Sequence, residues 1–186
     1  LLVKGPPKTL KRYSLDKKRP TVIFVDDRSS RIPRRTLRLD IAQTAEKVLL
    51  DRGTLDDVIS FRDALLVASH EEPEEPLSIV DIGKAVNAEI VIYATVDQFT
   101  LSPDGQTFTP TAVMRVKVLD VAQNSRIWPA EEAGDVVTVR LDTQQGTAPR
   151  TGSERARAEA DLAQKTGLGL AQVFFDHERT RSVLGP

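Results

Sequence analysis

The chain contains no cysteine. Disulfides, thiolate metal sites and cysteine nucleophiles are excluded together. The compartment is not, because a disulfide-free chain suits cytosol and periplasm alike. Histidine is nearly absent too: His70 follows a helical pattern into an acidic loop, and His177 stands near the chain end. A zinc site gathers three or four ligands in close array, and neither histidine has neighbours at such spacing, so no metal or other cofactor is expected. No stretch approaches the run of about 18 apolar residues that a membrane helix needs. There is no G-x-S-x-G elbow for acyl transfer. Gly83-Lys84 falls inside a helical pattern without the earlier glycine of a phosphate-binding loop, and Gly167-Leu168-Gly169 follows no strand. The formal net charge is -1, without the basic surplus of a nucleic-acid binder, so no nucleic acid is expected as partner. Nothing in this inventory points to an enzyme.

What is present is ordinary globular material. Hydrophobic residues make 40% of the 186 and charged residues 28%, enough to fill one core. Residues 1–20 read as an extended basic leader broken by Gly5, Pro6, Pro7 and Pro20, with Lys8, Lys11, Arg12, Lys17 and Lys18 as interaction candidates. The bland reading is a solvated tether outside the core; the sharper one is attraction to an anionic surface or an acidic neighbour. The first residues, Leu1-Leu2-Val3-Lys4, carry no signal-peptide pattern. That is expected of a mature or trimmed form, whose removed leader could have borne a lipidated cysteine.

Residues 21–178 read as one α/β domain, with 179–186 as a tail. Thr21-Val22-Ile23-Phe24-Val25 is a buried-strand run, followed by a turn and a helix over 35–52 with Leu37, Ile41, Ala45, Val48 and Leu49 on one face. Val58-Ile59 reads as a second short strand. Ser60 with Asp63, and Ser78 with Asp81, read as capping signals of two further helices, separated by an acidic, proline-broken loop over 71–76. Ile90 to Val96 is the strongest strand signal. A return strand over 112–118, a short strand at Arg126-Ile127-Trp128 and another over 136–141 follow, then an amphipathic helix opening at Ser153. Gly167 and Gly169 weaken that helix by about 1 kcal/mol each, unless they permit close packing on the sheet. The order β-α-β-α-α-β-β-β-β-α implies an α/β fold: a single-domain mixed β-sheet with helices packed on it.

Asp26-Asp27, at the end of the first strand, is the one pair of carboxylates placed where phosphate-accepting receiver domains hold a divalent cation. A receiver-like or ligand-binding regulatory domain using Asp26 and Asp27 is the alternative reading. Its weakness is that neither Val58-Ile59 nor the strand over 90–96 supplies the further acidic residue such a site needs, and the bland reading is that the pair caps the turn or bridges Arg28, Arg31 or Arg34. Trp128, the sole tryptophan, reads as core or sheet-edge packing with a ligand platform as the sharper option. Phe174-Phe175 points adjacent rings to different helix faces, which leaves Phe175 as a candidate subunit contact.

Two stretches resemble a known group. Ile79-Val80-Asp81-Ile82-Gly83-Lys84-Ala85-Val86-Asn87-Ala88, running into Glu89-Ile90-Val91-Ile92-Tyr93-Ala94-Thr95-Val96, is similar to the helix-to-strand motif of the CsgG/PelC/LpoB/TolB-N periplasmic domains. Val116 to Trp128, through Asp120-Val121-Ala122-Gln123-Asn124-Ser125, looks like that group's strand-turn-strand hairpin. Asn87, Ala94 and Asn124-Ser125 depart from the pattern. The resemblance implies a non-catalytic periplasmic domain, often held at the outer membrane by an N-terminal lipid. Such domains serve as structural subunits of secretion or envelope assemblies, as homo-oligomers, or as protein-binding regulators of wall synthesis. CsgG adds membrane-barrel hairpins, but Asp97, Gln98, Arg115 and Lys117 interrupt the candidate spanning strands here, so the soluble PelC-like or LpoB-like version is the expectation.

Overall fold

The computed structural model describes residues 5–70, 78–142 and 148–179. The acidic loop expected over 71–76 and the tail beyond 179 lie outside the described residues.

β2 (Thr21–Asp26) is buried on both faces, as its unbroken β-branched run requires, and pairs in parallel with β3 (Ile90–Thr100) from Thr21↔Ile90 to Asp26↔Thr95. Between them lie α1 (Arg35–Asp51), α2 (Phe61–Ser69) and α3 (Ile79–Ala85). β3 then pairs antiparallel with β4 (Thr111–Asp120) along its length. The other edge of β4 is shared. β5 (Ser125–Trp128) takes the Val118–Asp120 end, and β6 (Asp135–Arg140) takes Thr111 to Val116. α4 (Gly152–Gln172) follows.

Register divides the sheet into two faces. Ile23, Val25, Ile92, Ala94, Met114 and Val137 share the face that receives α1 and α4. Phe24 and Tyr93 share the other. There α2 sets Phe61 edge-on to Phe24 at 5.3 Å, and α3 sets Gly83 on Val91 and Val121. Beyond α3 this second face is wet: Arg115 and Lys117 are half-buried, and Val136 and Thr138 exposed.

Two glycines of α4 are there for close approach. A Cβ on Gly167 would stand 2.4 Å from the Ile41 carbonyl oxygen of α1, and one on Gly169 would stand 2.6 Å from Val139 of β6. The helix tolerates their low propensity because both neighbours need the space. α4 opens one residue earlier than its serine suggests. Thr151 is the cap, in a full capping box with Glu154. Ser78 and Asp81 form the same device on α3, whereas Ser60 caps only Arg62 N–H, and the Phe61 N–H goes to Glu46 of α1. The strand expected at Val58-Ile59 is reduced to one parallel bridge, Val22↔Ile59. It covers the edge of β2 without extending the sheet.

The leader is the main correction. From Pro7 on it is fastened to the domain and is not a tether. β1 (Lys8–Thr9) pairs with β7 (His177–Glu178), and the Val173 carbonyl accepts from Arg12 and Tyr13 N–H. The Asp56 N–H reaches the Lys17 carbonyl, and Pro20 O receives Glu89 and Ile90 N–H. Arg19 bridges Glu89 at 2.9 Å and the buried Asp120 at 3.0 Å. The cationic density concealed two apolar anchors: Tyr13 and Leu15 pack against the core, Tyr13 with its ring 5.6 Å from Trp128. Backbone pairing and ring burial offset the entropy of ordering the segment.

Two outcomes follow from this packing. Gly167→Ala should lower unfolding free energy by about 1–3 kcal/mol in urea titration, since the backbone carbonyl of Ile41 cannot yield like a side chain. Gly152→Ala, where a Cβ meets nothing within 4 Å, serves as the neutral control. Deleting residues 1–13 should lower the urea midpoint; a tether would leave it unchanged.

Candidate functional site

The chain turns from β2 into α1 over residues 27–34, and the arrangement there is set by two carboxylates with different duties. Asp26 Oδ2 accepts the Tyr93 hydroxyl at 2.6 Å and Arg28 Nε at 2.9 Å. Asp27 accepts Arg31 N–H at 2.7 Å and Ile32 N–H at 3.0 Å, and its carbonyl receives Ser30 N–H. Ser30 takes a left-handed φ of 51°, the conformation that a tight turn demands. The two carboxylates, weak candidates for a cation in the alternative reading, are thus taken up by the bridge to Arg28 and by the turn, as the bland reading has it. One carboxylate binds a phenol and a guanidinium, and the other organises the turn. Among the described residues no group of three or more His, Asp or Glu could hold a metal ion.

Arg38, one turn into α1, gives both Nε and Nη2 to the Val25 carbonyl and lies 5.8 Å from the Phe61 ring centre. With Arg28 and Arg35 it lines a cleft of about 1020 Å³ whose opposite wall comes from Leu65 and Ala68 of α2 and Ile79 and Ile82 of α3. Sequence reasoning overlooked Arg35, Arg38 and Tyr93. The density of arginine over 28–38 is the signal that could have found the two arginines.

The interaction candidates are scattered. The side chains of Lys8, Lys11 and Lys18 are exposed, with no ion pair among the described residues. Lys17 stands 3.8 Å from Asp56, and Arg12 is committed to Asp135 at 2.6 Å and the Val136 carbonyl at 2.9 Å. Trp128 is half-buried between Tyr13 and Phe174, a packing role. Phe175 does not present a contact: it is buried, with Arg52 over its ring at 4.9 Å and His177 edge-on. The chain leaves α4 at Gln172, so the helix-face argument that separated Phe174 from Phe175 no longer applies, and both rings turn inward.

The fold and this corner define an α/β domain with a mixed sheet between two helical layers. No family model matches the chain, and no curated protein does. Solved structures do resemble it. A PelC dodecamer from Paraburkholderia phytofirmans is 12% identical over 91% of this chain and 96% of that one, with a TM-score of 0.46. A lipoprotein from Neisseria meningitidis is 10% identical over 78% and 96%, at 0.48. The C-terminal domain of LpoB from Escherichia coli is 14% identical over 67% and 83%, at 0.39.

The Tyr93 hydroxyl supplies a pH readout. Burial, and then the hydrogen bond to Asp26, push it up to about 12, whereas tyrosine in an unfolded chain ionises near ~10. A raised folded value stabilises the fold fully below the unfolded value and is lost as pH climbs towards the folded one. Wild-type stability should thus fall between about pH 10 and 12, and Tyr93→Phe should flatten that fall in urea midpoints taken across the range. Equal slopes would remove Tyr93 from the account.

Proposed function

We propose that this chain is a non-catalytic structural or interaction subunit of the bacterial cell envelope. It works in the periplasm, is held at the outer membrane through a lipid anchor outside the residues of this chain, and assembles with copies of itself in secretion or envelope maintenance. The observation that carries the reading is how the two stretches resembling the CsgG/PelC/LpoB/TolB-N group meet. The first forms α3 and β3, the second β4 and β5, and β3 lies along β4. Gly83 of the first stretch sits where a Cβ would be 2.8 Å from Val91 and 2.9 Å from Val121, one residue from each stretch. The motif residues therefore support one another as a packing unit, as structural motifs do.

The leader presents Lys8, Lys11 and Lys18 on the outside while its backbone is fastened to the domain. A fastened segment loses less conformational entropy on meeting a partner than a free tail would. Leu10 of the leader and Val136 of β6 are exposed apolar side chains, 71% and 46% accessible, and the Val136 carbonyl accepts from Arg12 of the leader.

Light scattering after size-exclusion chromatography, at low and high salt, tests the assembly. A discrete species of several 20.5 kDa subunits, weakened by salt if the basic leader takes part, is the expected outcome. A monomer at both salts would overturn self-assembly and leave docking on a different protein.

A further inference from the structure

The cleft beside the β2–α1 turn has two unlike walls. On one side stand Arg28, Arg35 and Arg38; on the other, Leu65, Ile79 and Ile82. Its own carboxylates do not neutralise the first wall evenly. Asp26 is satisfied by Arg28 and Tyr93, and Asp27 by backbone N–H groups of the turn. Arg38 donates to a carbonyl, a neutral acceptor, and Arg35 has no ion pair among the described residues. Two guanidinium charges three residues apart on one helix, hence on neighbouring positions of one face, therefore have no carboxylate partner among the described residues. They border an apolar wall, which screens charge less than water does.

The position fits a ligand site as well. In open α/β sheets small molecules bind outside the carboxyl ends of parallel strands, and Asp26 is the carboxyl end of the parallel β2–β3 pair. The volume, about 1020 Å³, lies at the upper end of small-molecule clefts, which run to roughly 1,000 Å³.

We propose that this cleft binds an amphiphilic anion: a carboxylate or phosphate head on an apolar body. The head pairs with Arg35 and Arg38, and the body lies along Leu65, Ile79 and Ile82. The occupant is a small molecule, and no metal or bond-making step is involved. A head alone lacks the apolar contact, and a neutral amphiphile lacks the ion pair, so both halves are needed. The proposal does not depend on self-assembly or on an envelope location.

The test is calorimetric titration of the full chain with dodecyl phosphate and with dodecanoate, each below its micelle concentration. Inorganic phosphate and dodecyl maltoside give the head-only and tail-only comparisons. Expected is one site per chain for at least one of the two amphiphilic anions, with both comparisons at least about tenfold weaker. Binding of both anions would mean that the site reads charge; binding of dodecyl phosphate alone would identify a phosphate head. Arg35→Glu, at an exposed position that should leave the fold intact, is expected to weaken the site by about tenfold or more, and Arg35→Lys to retain most of it. Leu65→Glu should weaken it from the opposite wall. No binding of either anion, equal binding of dodecyl maltoside, or an unchanged affinity in both Arg35→Glu and Leu65→Glu would overturn the proposal.

Discussion

Everything in this molecule is hung on β3. One of its edges is taken over residues 90–95 by β2 in parallel and the other by β4 in antiparallel, so its first half is paired on both sides and its side chains there are buried nearly throughout. A strand in that position cannot slip register, because a shift of one residue would send Ile92 and Ala94 to the face of Tyr93. The parallel half dictates a long crossover, which is where α1, α2 and α3 are accommodated; the antiparallel half permits the short connections of β4, β5 and β6. A register shift between Val96 and Gln98 marks where β3 leaves the buried zone, and there Asp97 pairs with Arg115 at 2.8 Å on the surface.

The same strand links the core to the arginine-rich corner. Tyr93 reaches from β3 to the end of β2 and holds Asp26, which in turn holds Arg28. A buried phenol needs an acceptor, and Asp26 is that acceptor. Of the positive side chains around the β2–α1 turn, Arg28 is matched within the fold and Arg34 is matched by Glu159 of α4 at 3.3 Å. Among the described residues, what remains over the apolar α2–α3 wall is positive, Arg35 and Arg38.

The leader shows how composition misleads when charge and anchoring residues are interleaved. Seven lysines and arginines within residues 4–19 suggest solvation, yet Tyr13 and Leu15 sit between them and find the core, and Arg19 finds Asp120, only 3% exposed. The carboxyl of Asp120 is held below its ordinary value, first by Gln123 N–H and also by Arg19. The segment thereby ties the turn after β4 to the start of β2, two places far apart in the chain.

Much of the architecture was legible locally. The buried run of β2, the heptad-like face of α1, the capping box at Ser78 and Asp81 and the alternation of β4 are consequences of side-chain period and hydrogen-bonding groups within a few residues. Asn87 ends its helix at φ 60°, because asparagine bears the left-handed region at small cost. What the sequence could not decide depends on partners distant along the chain. Val58-Ile59 has strand composition, but only one residue of it meets β2. Gly167 and Gly169 read either as helix weaknesses or as room for close packing, and α1 and β6 standing against them decide for the second. For Asp26-Asp27 the sequence offers the turn cap and the Arg28 bridge, but not Tyr93, 67 positions away, which gives its hydroxyl to Asp26. Period and propensity are properties of neighbours in the chain, whereas burial, pairing and the balance of charge in a cleft are properties of neighbours in space.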